Sequence, residues 1–134
     1  MAARGLANGK YQGSKWIRRE KRLAIYLRDG LACAYCGAII EDGAGLTLDH
    51  ITPYCDQGGH HETNLITACL RCNSARGNRD IKEFAAAVAE YLNGGVTVDM
   101  ITDRIIECIA RPLDIRAAKE IIKNRGSWQA ALKR

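Results

Sequence analysis

No stretch of this 134-residue chain approaches the ~18 uninterrupted apolar residues that a membrane-spanning helix needs. No apolar segment follows the charges between Met1 and Arg22, so a secretory leader is not expected and the chain reads as cytoplasmic, with no membrane partner. There is no internal repeat and no low-complexity segment. Hydrophobic residues are 47% and charged residues 26%, a balance that excludes wholesale disorder. The length suits one ordinary domain, not two large ones. Six cysteines in a chain without a leader pose a metal or redox question before a disulfide question.

The formal net charge of +5 is unevenly placed. Residues 1–22 carry seven basic side chains against one acid, Glu20. Residues 23–80 carry four basic and seven acidic side chains, and residues 81–134 carry nine and seven. The middle is therefore locally acidic, as a cation site should be. The basic stretch beside it suits phosphate, and a solvated tail is its bland alternative.

Local patterns divide the chain. Residues 1–13 hold Gly5, Gly9 and Gly13 with no apolar periodicity and read as a basic arm. Ser14 can cap a helix that places Trp16, Leu23 and Leu27 near one face and stops at Gly30. Cys33 to Gly37 reads as a turn, and Leu46 to Ile51 alternates like a short strand. Pro53 to Thr63 reads as a loop, Leu65 to Thr67 as a second short strand, and Cys69 to Arg76 as the entry to a helix. Beyond Asp80 the spacing predicts three helices. They carry the stripes Ile81/Phe84/Ala85/Val88/Leu92, Val98/Ile101/Ile105/Ile109 and Ile115/Ala118/Ile122, with Thr97 and Asp114 as caps for the second and third. A short turn from Ser127 follows. Core packing explains these stripes without any chemistry.

Cys33-x-x-Cys36 and Cys69-x-x-Cys72 each let a tight turn aim two sulfurs at one ion. Together they offer the tetrahedral thiolate set that zinc prefers, with no open position, so the site reads as structural. Two disulfides or unrelated thiols are the alternative. Cys108 falls at helical spacing among Ile101, Ile105 and Ile109 and reads as core filling, whereas Cys55 lies in a loop and carries no assigned role.

Asp49-His50 ends the first predicted strand. A carboxylate suits a hard divalent cation, and an imidazole beside it can take a proton from water. Alone the pair is weak evidence, since neighbouring strand residues point to opposite faces unless a strand end steers both to one site. Its context is stronger. Leu46-Thr47-Leu48-Asp49-His50-Ile51-Thr52-Pro53, Gly58-Gly59, Asn64-Leu65, Cys69-x-x-Cys72-Asn73 and Arg76 follow in order. This run resembles the HNH endonuclease superfamily, the ββα-metal nucleases, and within it the zinc-stabilised branch found in phage and bacterial genomes. Arg28-Asp29-Gly30 before Cys33 also fits that branch.

The resemblance covers about residues 14–80 and implies a small ββα-metal core with a structural four-cysteine zinc site; residues 81–134 lie outside it, and with the helix before the core and the helical subdomain over residues 81–134 read from the stripes above, the fold class is α+β. It implies His50 as general base and Asp49 and Asn73 as ligands of one catalytic magnesium or manganese ion. Asn64 matches the central asparagine that braces the loop and orients His50. Arg76 matches a basic helix position that can approach phosphate, and Arg79 and Lys82 extend that basic face. The implied reaction is hydrolysis of DNA, taken as double-stranded, to 5′-phosphate and 3′-hydroxyl ends. A non-catalytic zinc-ribbon module that binds nucleic acid is the alternative, and an adaptor using the helices over residues 81–124 is a third reading. His60 and His61 sit in a glycine-rich loop and are read as exposed.

Overall fold

The structure, a computed structural model, describes residues 16–39, 45–53 and 59–132. The arm over residues 1–13, the expected cap Ser14, Gly58 and Cys55 lie outside the described residues. The fold is α+β. Two antiparallel strands hold its centre: β1 (Leu46–His50) and β2 (Leu65–Cys69), in the register Leu46↔Cys69, Leu48↔Thr67 and His50↔Leu65.

Side chains two apart on a strand share a face. Leu48 of β1 and Leu65 of β2 pack with Ile25 and Tyr26 of α1 (Arg19–Arg28), and Leu46 joins them. Thr47 and Asp49 face the other way, toward α2 (Leu70–Arg76). Both faces are covered, so every residue of β2 is buried. The apolar–polar alternation of β1 thus marks a buried polar face, not a solvent face.

α1 begins four residues later than the Ser14 cap predicts, after an extended Arg18 that supplies no side-chain cap. Ile17 is buried among Ile25, Tyr26 and Leu48 with Trp16 against them, and this packing precedes the helix instead of forming its first turn. α1 is also buried on more than one face. Leu23 and Ala24 meet Ala118 and Ile122 of α5 (Ile115–Arg125) on the side away from the sheet. Gly30, at φ +80, ends the helix as its position suggests.

The Arg28–Asp29 pair fixes that helix end to the strands. Both side chains are fully buried, with Arg28 Nε 2.7 Å from Asp29 Oδ1. Arg28 donates further to the carbonyls of Glu62 (2.9 Å) and Leu65 (2.7 Å), and Asp29 Oδ2 accepts the Thr67 N–H (2.9 Å). Removing one partner of such a buried pair typically costs about 3–5 kcal/mol, because the other charge is left uncompensated.

The remaining helices are α3 (Ile81–Leu92), α4 (Val98–Ala110), α5 and α6 (Trp128–Ala131). Asp80, Thr97, Asp114 and Ser127 cap them by accepting a backbone N–H, as residues of these types do. Ile101, Ile105 and Cys108 of α4 pack with Phe84, Ala85 and Val88 of α3 against the cysteine turns. Arg104 of α4 donates to the Ala34 carbonyl (3.1 Å) and Arg111 to the Arg28 carbonyl (3.1 Å). Among the described residues no helix is long and apolar enough to cross a membrane.

Candidate metal centre and active site

Cys33 and Cys36 occupy a tight turn closed by Gly37 at φ +81. Cys69 ends β2 and caps α2, and Cys72 lies in the first turn of that helix. The four sulfurs lie within 4.8 Å of one another. Cys36 and Cys69 stand 3.8 Å apart at sulfur, far beyond the ~2.05 Å of a disulfide. In each turn the second cysteine's N–H donates to the first one's sulfur, at 3.5 and 3.4 Å.

The Cys33 thiol is held down to about 5, first by the hydrogen bond from Cys72 and then by the N–H of Cys36. Cys72 is pushed far up by the same bond and by burial. Crowded sulfurs therefore share protons until a cation neutralises them. The set can hold a metal ion, and all four positions of a tetrahedron are then taken by protein.

The second group of polar residues surrounds the end of β1. Asp49 is 6% exposed, and its Oδ2 accepts from the Tyr35 hydroxyl and from Arg76 Nη1 at 2.8 Å. Arg76, 1% exposed, also donates to the carbonyls of His50, Ile51 (2.6 Å) and Arg79 (2.9 Å). The expectation that Arg76 reaches phosphate is therefore corrected. Its guanidinium is consumed inside the fold, because the helix that carries it ends directly behind β1.

Asn73, one turn earlier on α2, donates through Nδ2 to Thr47 Oγ1 (2.8 Å) and to the Leu48 carbonyl (3.1 Å). A carbonyl only accepts, so this bond fixes which end of the amide is nitrogen. Asn73 is thus brought to the residue before Asp49.

His50 leaves β1 on the opposite face. Its Nε2 lies 2.9 Å from His60 Nδ1, and the indole of Trp16 stacks near both rings, with centroids at 5.1 and 4.6 Å. Burial, and then the neighbouring His60 and Arg76, lower the His50 pKa to about 4, so the ring is neutral and able to accept a proton at neutral pH. Asn64 braces the loop. It accepts the Thr52 N–H (2.8 Å) and donates to the carbonyls of Gly59 (2.8 Å) and Thr52 (3.2 Å). These bonds act on the backbone around His50, not on its ring.

Arg79 is exposed, donates to the Ala75 carbonyl (2.9 Å) and lies over Phe84, while Lys82 is exposed on the first turn of α3. His61 is exposed, as its loop suggests, and caps the turn Glu62–Asn64. His60 is not: it is half-buried against His50 and Trp16. Tyr35, His60 and Trp16 are the site residues that local pattern misses. Position is the available hint for Tyr35, an aromatic inside the first cysteine pair, and for His60, directly after Gly58-Gly59.

The site thus combines a two-stranded antiparallel sheet backed by a short helix, four clustered cysteines that could hold a metal, and Asp-His at the end of the first strand. The sequence profile of the HNH endonuclease family matches residues 33–79. The chain is also similar to the CRISPR-associated endonuclease Cas9 of Corynebacterium diphtheriae, 40% identical over 52 residues. That match covers 38% of this chain and 5% of the other protein.

The buried state of His50 sets a pH dependence of stability. In the unfolded chain the ring takes a proton near 6.5, and in the folded chain only near 4. Between these values the unfolded state binds more protons, so stability falls as pH drops through this window and levels off below it. At about 1.4 kcal/mol per pH unit the difference reaches about 3 kcal/mol. Urea unfolding across this range should show a shallower fall for His50→Gln than for the unaltered chain. Parallel curves would show that His50 is not buried neutral.

Proposed function

We propose that the chain is a metal-dependent HNH endonuclease that hydrolyses DNA phosphodiester bonds, leaving 5′-phosphate and 3′-hydroxyl ends. The observation that carries this reading is the junction of β1 and α2: Asp49-His50 at the strand end, and Asn73 bonded to the carbonyl just before them. Asp49 and Asn73 are the residues that would hold a magnesium or manganese ion. Their donor set fits one. Asp49 offers the anionic carboxylate oxygen such ions prefer, and Asn73 offers a neutral amide oxygen. When bound, that ion supplies positive charge to the phosphate and to the departing oxygen.

The chain's own residues do the rest. His50, neutral and desolvated, takes the proton of the attacking water. Arg76 offsets the Asp49 charge, so the site holds a cation weakly until substrate phosphate adds negative charge. Arg79 and Lys82, exposed beyond α2, meet the DNA backbone by charge, taken here as that of a duplex. The four-cysteine set is assigned to structural zinc, since it is all sulfur and closed.

One observation favours the alternative of a non-catalytic zinc-ribbon module. Asp49 already has a cationic partner, as a purely structural carboxylate would. Supercoiled plasmid decides between the two. With magnesium or manganese the unaltered chain should nick it, chelator should abolish nicking, and His50→Ala should lower the rate by ~10²–10⁴-fold with folding intact. Binding without strand breaks under either metal would leave only the module.

Zinc is tested separately. The purified chain should retain about one zinc per molecule, and Cys69→Ser should lose both the metal and cooperative unfolding, since structural zinc contributes on the order of 10 kcal/mol in small domains. A Cys69→Ser chain that unfolds at the same urea concentration as the unaltered one would contradict the assignment.

A further inference from the structure

α1 and α5 pack through Leu23 and Ala24 on one helix and Ala118 and Ile122 on the other. Beside that seam lies a shallow depression of about 380 Å³. Its charged lining is Arg19 and Glu20 from the first turn of α1, and Lys119 and Lys123 from α5. Arg19 and both lysines are exposed. Glu20 is the one carboxylate lining it, and its Oε2 is taken by Arg19 at 3.2 Å. Among the described residues no carboxylate pairs with Lys119 or Lys123, so the depression keeps an excess of positive charge.

Folding does not call for this charge. Ala118 and Ile122 supply the packing of α5 against α1, and two lysines four residues apart on a helix repel each other. Arg116, three residues before Lys119, lengthens the row along the helix. Glu120, also on α5, does not line the depression. A polyanion compensates a row of like charges that weakens its own helix. The depression is open, so it suits a charged backbone laid across it and not an enclosed small ligand.

Position selects the anion. The same turn of α1 carries Lys21, whose Nζ donates to the His60 carbonyl at 3.0 Å and reaches Glu62 at 3.5 Å. Trp16, just before the helix, lies against His50 with ring centroids 5.1 Å apart. The basic row therefore begins within one helical turn of the residues that meet the His50 loop. Arg79 and Lys82 are exposed beyond α2, the helix that Asp49 faces. Cations on both sides of Asp49-His50 match a duplex, which carries one phosphate charge per ~1.7 Å of its axis.

We propose that the α1–α5 face is a second contact for the phosphate backbone of duplex DNA, with Lys119 and Lys123 each meeting one phosphate. The proposal rests on the reading of the chain as a protein that acts on DNA. It goes beyond that reading by giving α5, which lies outside residues 33–79, a share of the binding. Such contacts fix the position of the duplex and carry no sequence preference.

Fluorescence anisotropy of a labelled duplex, with the full zinc-loaded chain and no added magnesium or manganese, measures binding without cleavage. Lys119→Gln/Lys123→Gln should make the slope of log K against log salt shallower by about 2, at roughly 0.9 per phosphate contact. The affinity lost between about 50 and 200 mM salt should then shrink by roughly tenfold. Lys119→Arg/Lys123→Arg, which keeps both charges, should bind like the unaltered chain. Met100→Glu/Ile106→Glu changes the net charge by the same amount at exposed positions of α4 and should leave the slope as it is. Cooperative urea unfolding checks that each variant is folded. An unchanged slope in the lysine-to-glutamine variant, an equal change in the α4 control, a change seen with duplex RNA alone, or no binding of the duplex by the unaltered chain would overturn the proposal. Plasmid nicking separates the two readings. The slope change without nicking by the unaltered chain keeps this face and removes the nuclease, whereas nicking with unchanged slopes keeps the nuclease and removes this face.

Discussion

The architecture depends on one buried guanidinium. Arg76 leaves the end of α2 and reaches Asp49 together with the carbonyls of His50 and Ile51, so it holds the last residues of β1 by charge and by backbone at once. An arginine this deep is expensive to desolvate and persists only when its donors are met, as they are here by one carboxylate and three carbonyls. The other end of α2 is fixed by Cys69 and Cys72 in the sulfur cluster. A helix of two turns is too short to be stable alone. Anchored at both ends, it presents Asn73 from its middle to the strand.

The same pair sets the electrostatics of the proposed cation site. Asp49 is the one formal negative charge among the expected ligands, and Arg76 stands 2.8 Å from it. A site so balanced has little affinity for a divalent ion alone and gains it from the phosphates of a substrate. Strand geometry then divides the labour. Asp49 faces α2 and the cation site, and His50 faces Trp16, His60 and α1. His50 is thereby held in a desolvated pocket, where it remains neutral.

Local signals carried much of this. The two C-x-x-C turns specify the sulfur cluster because such a turn must converge its ligands, whatever lies between the pairs. Asp80, Thr97 and Asp114 mark helix starts because capping is a contact with the next turn of the chain. The alternation of Leu46 to His50 marks a strand for the same local reason. Contacts across the fold were not readable. Trp16 looks like a helix-face residue until Ile17 and the histidines claim the space before α1. Arg76, Arg79 and Lys82 are alike as charges, and only the packing of α2 against β1 separates the buried one from the exposed two. His60 belongs to a glycine-rich loop by composition and to the His50 pocket by the bonds of Lys21 and Asn64.

The helices after Asp80 serve the site indirectly. α4 lies behind the cysteine turns and bonds the Ala34 carbonyl through Arg104, while α5 backs α1, which carries Lys21 to the His60 loop. The central claim, that Asp49 and Asn73 share one cation beside His50, is tested most directly by manganese anomalous diffraction from His50→Ala protein bound to uncut duplex DNA. The expected result is a manganese peak in contact with the Asp49 carboxylate, Asn73 Oδ1 and a phosphate oxygen. DNA bound with no peak there, and Asp49 closed on Arg76 and Tyr35 alone, would contradict it.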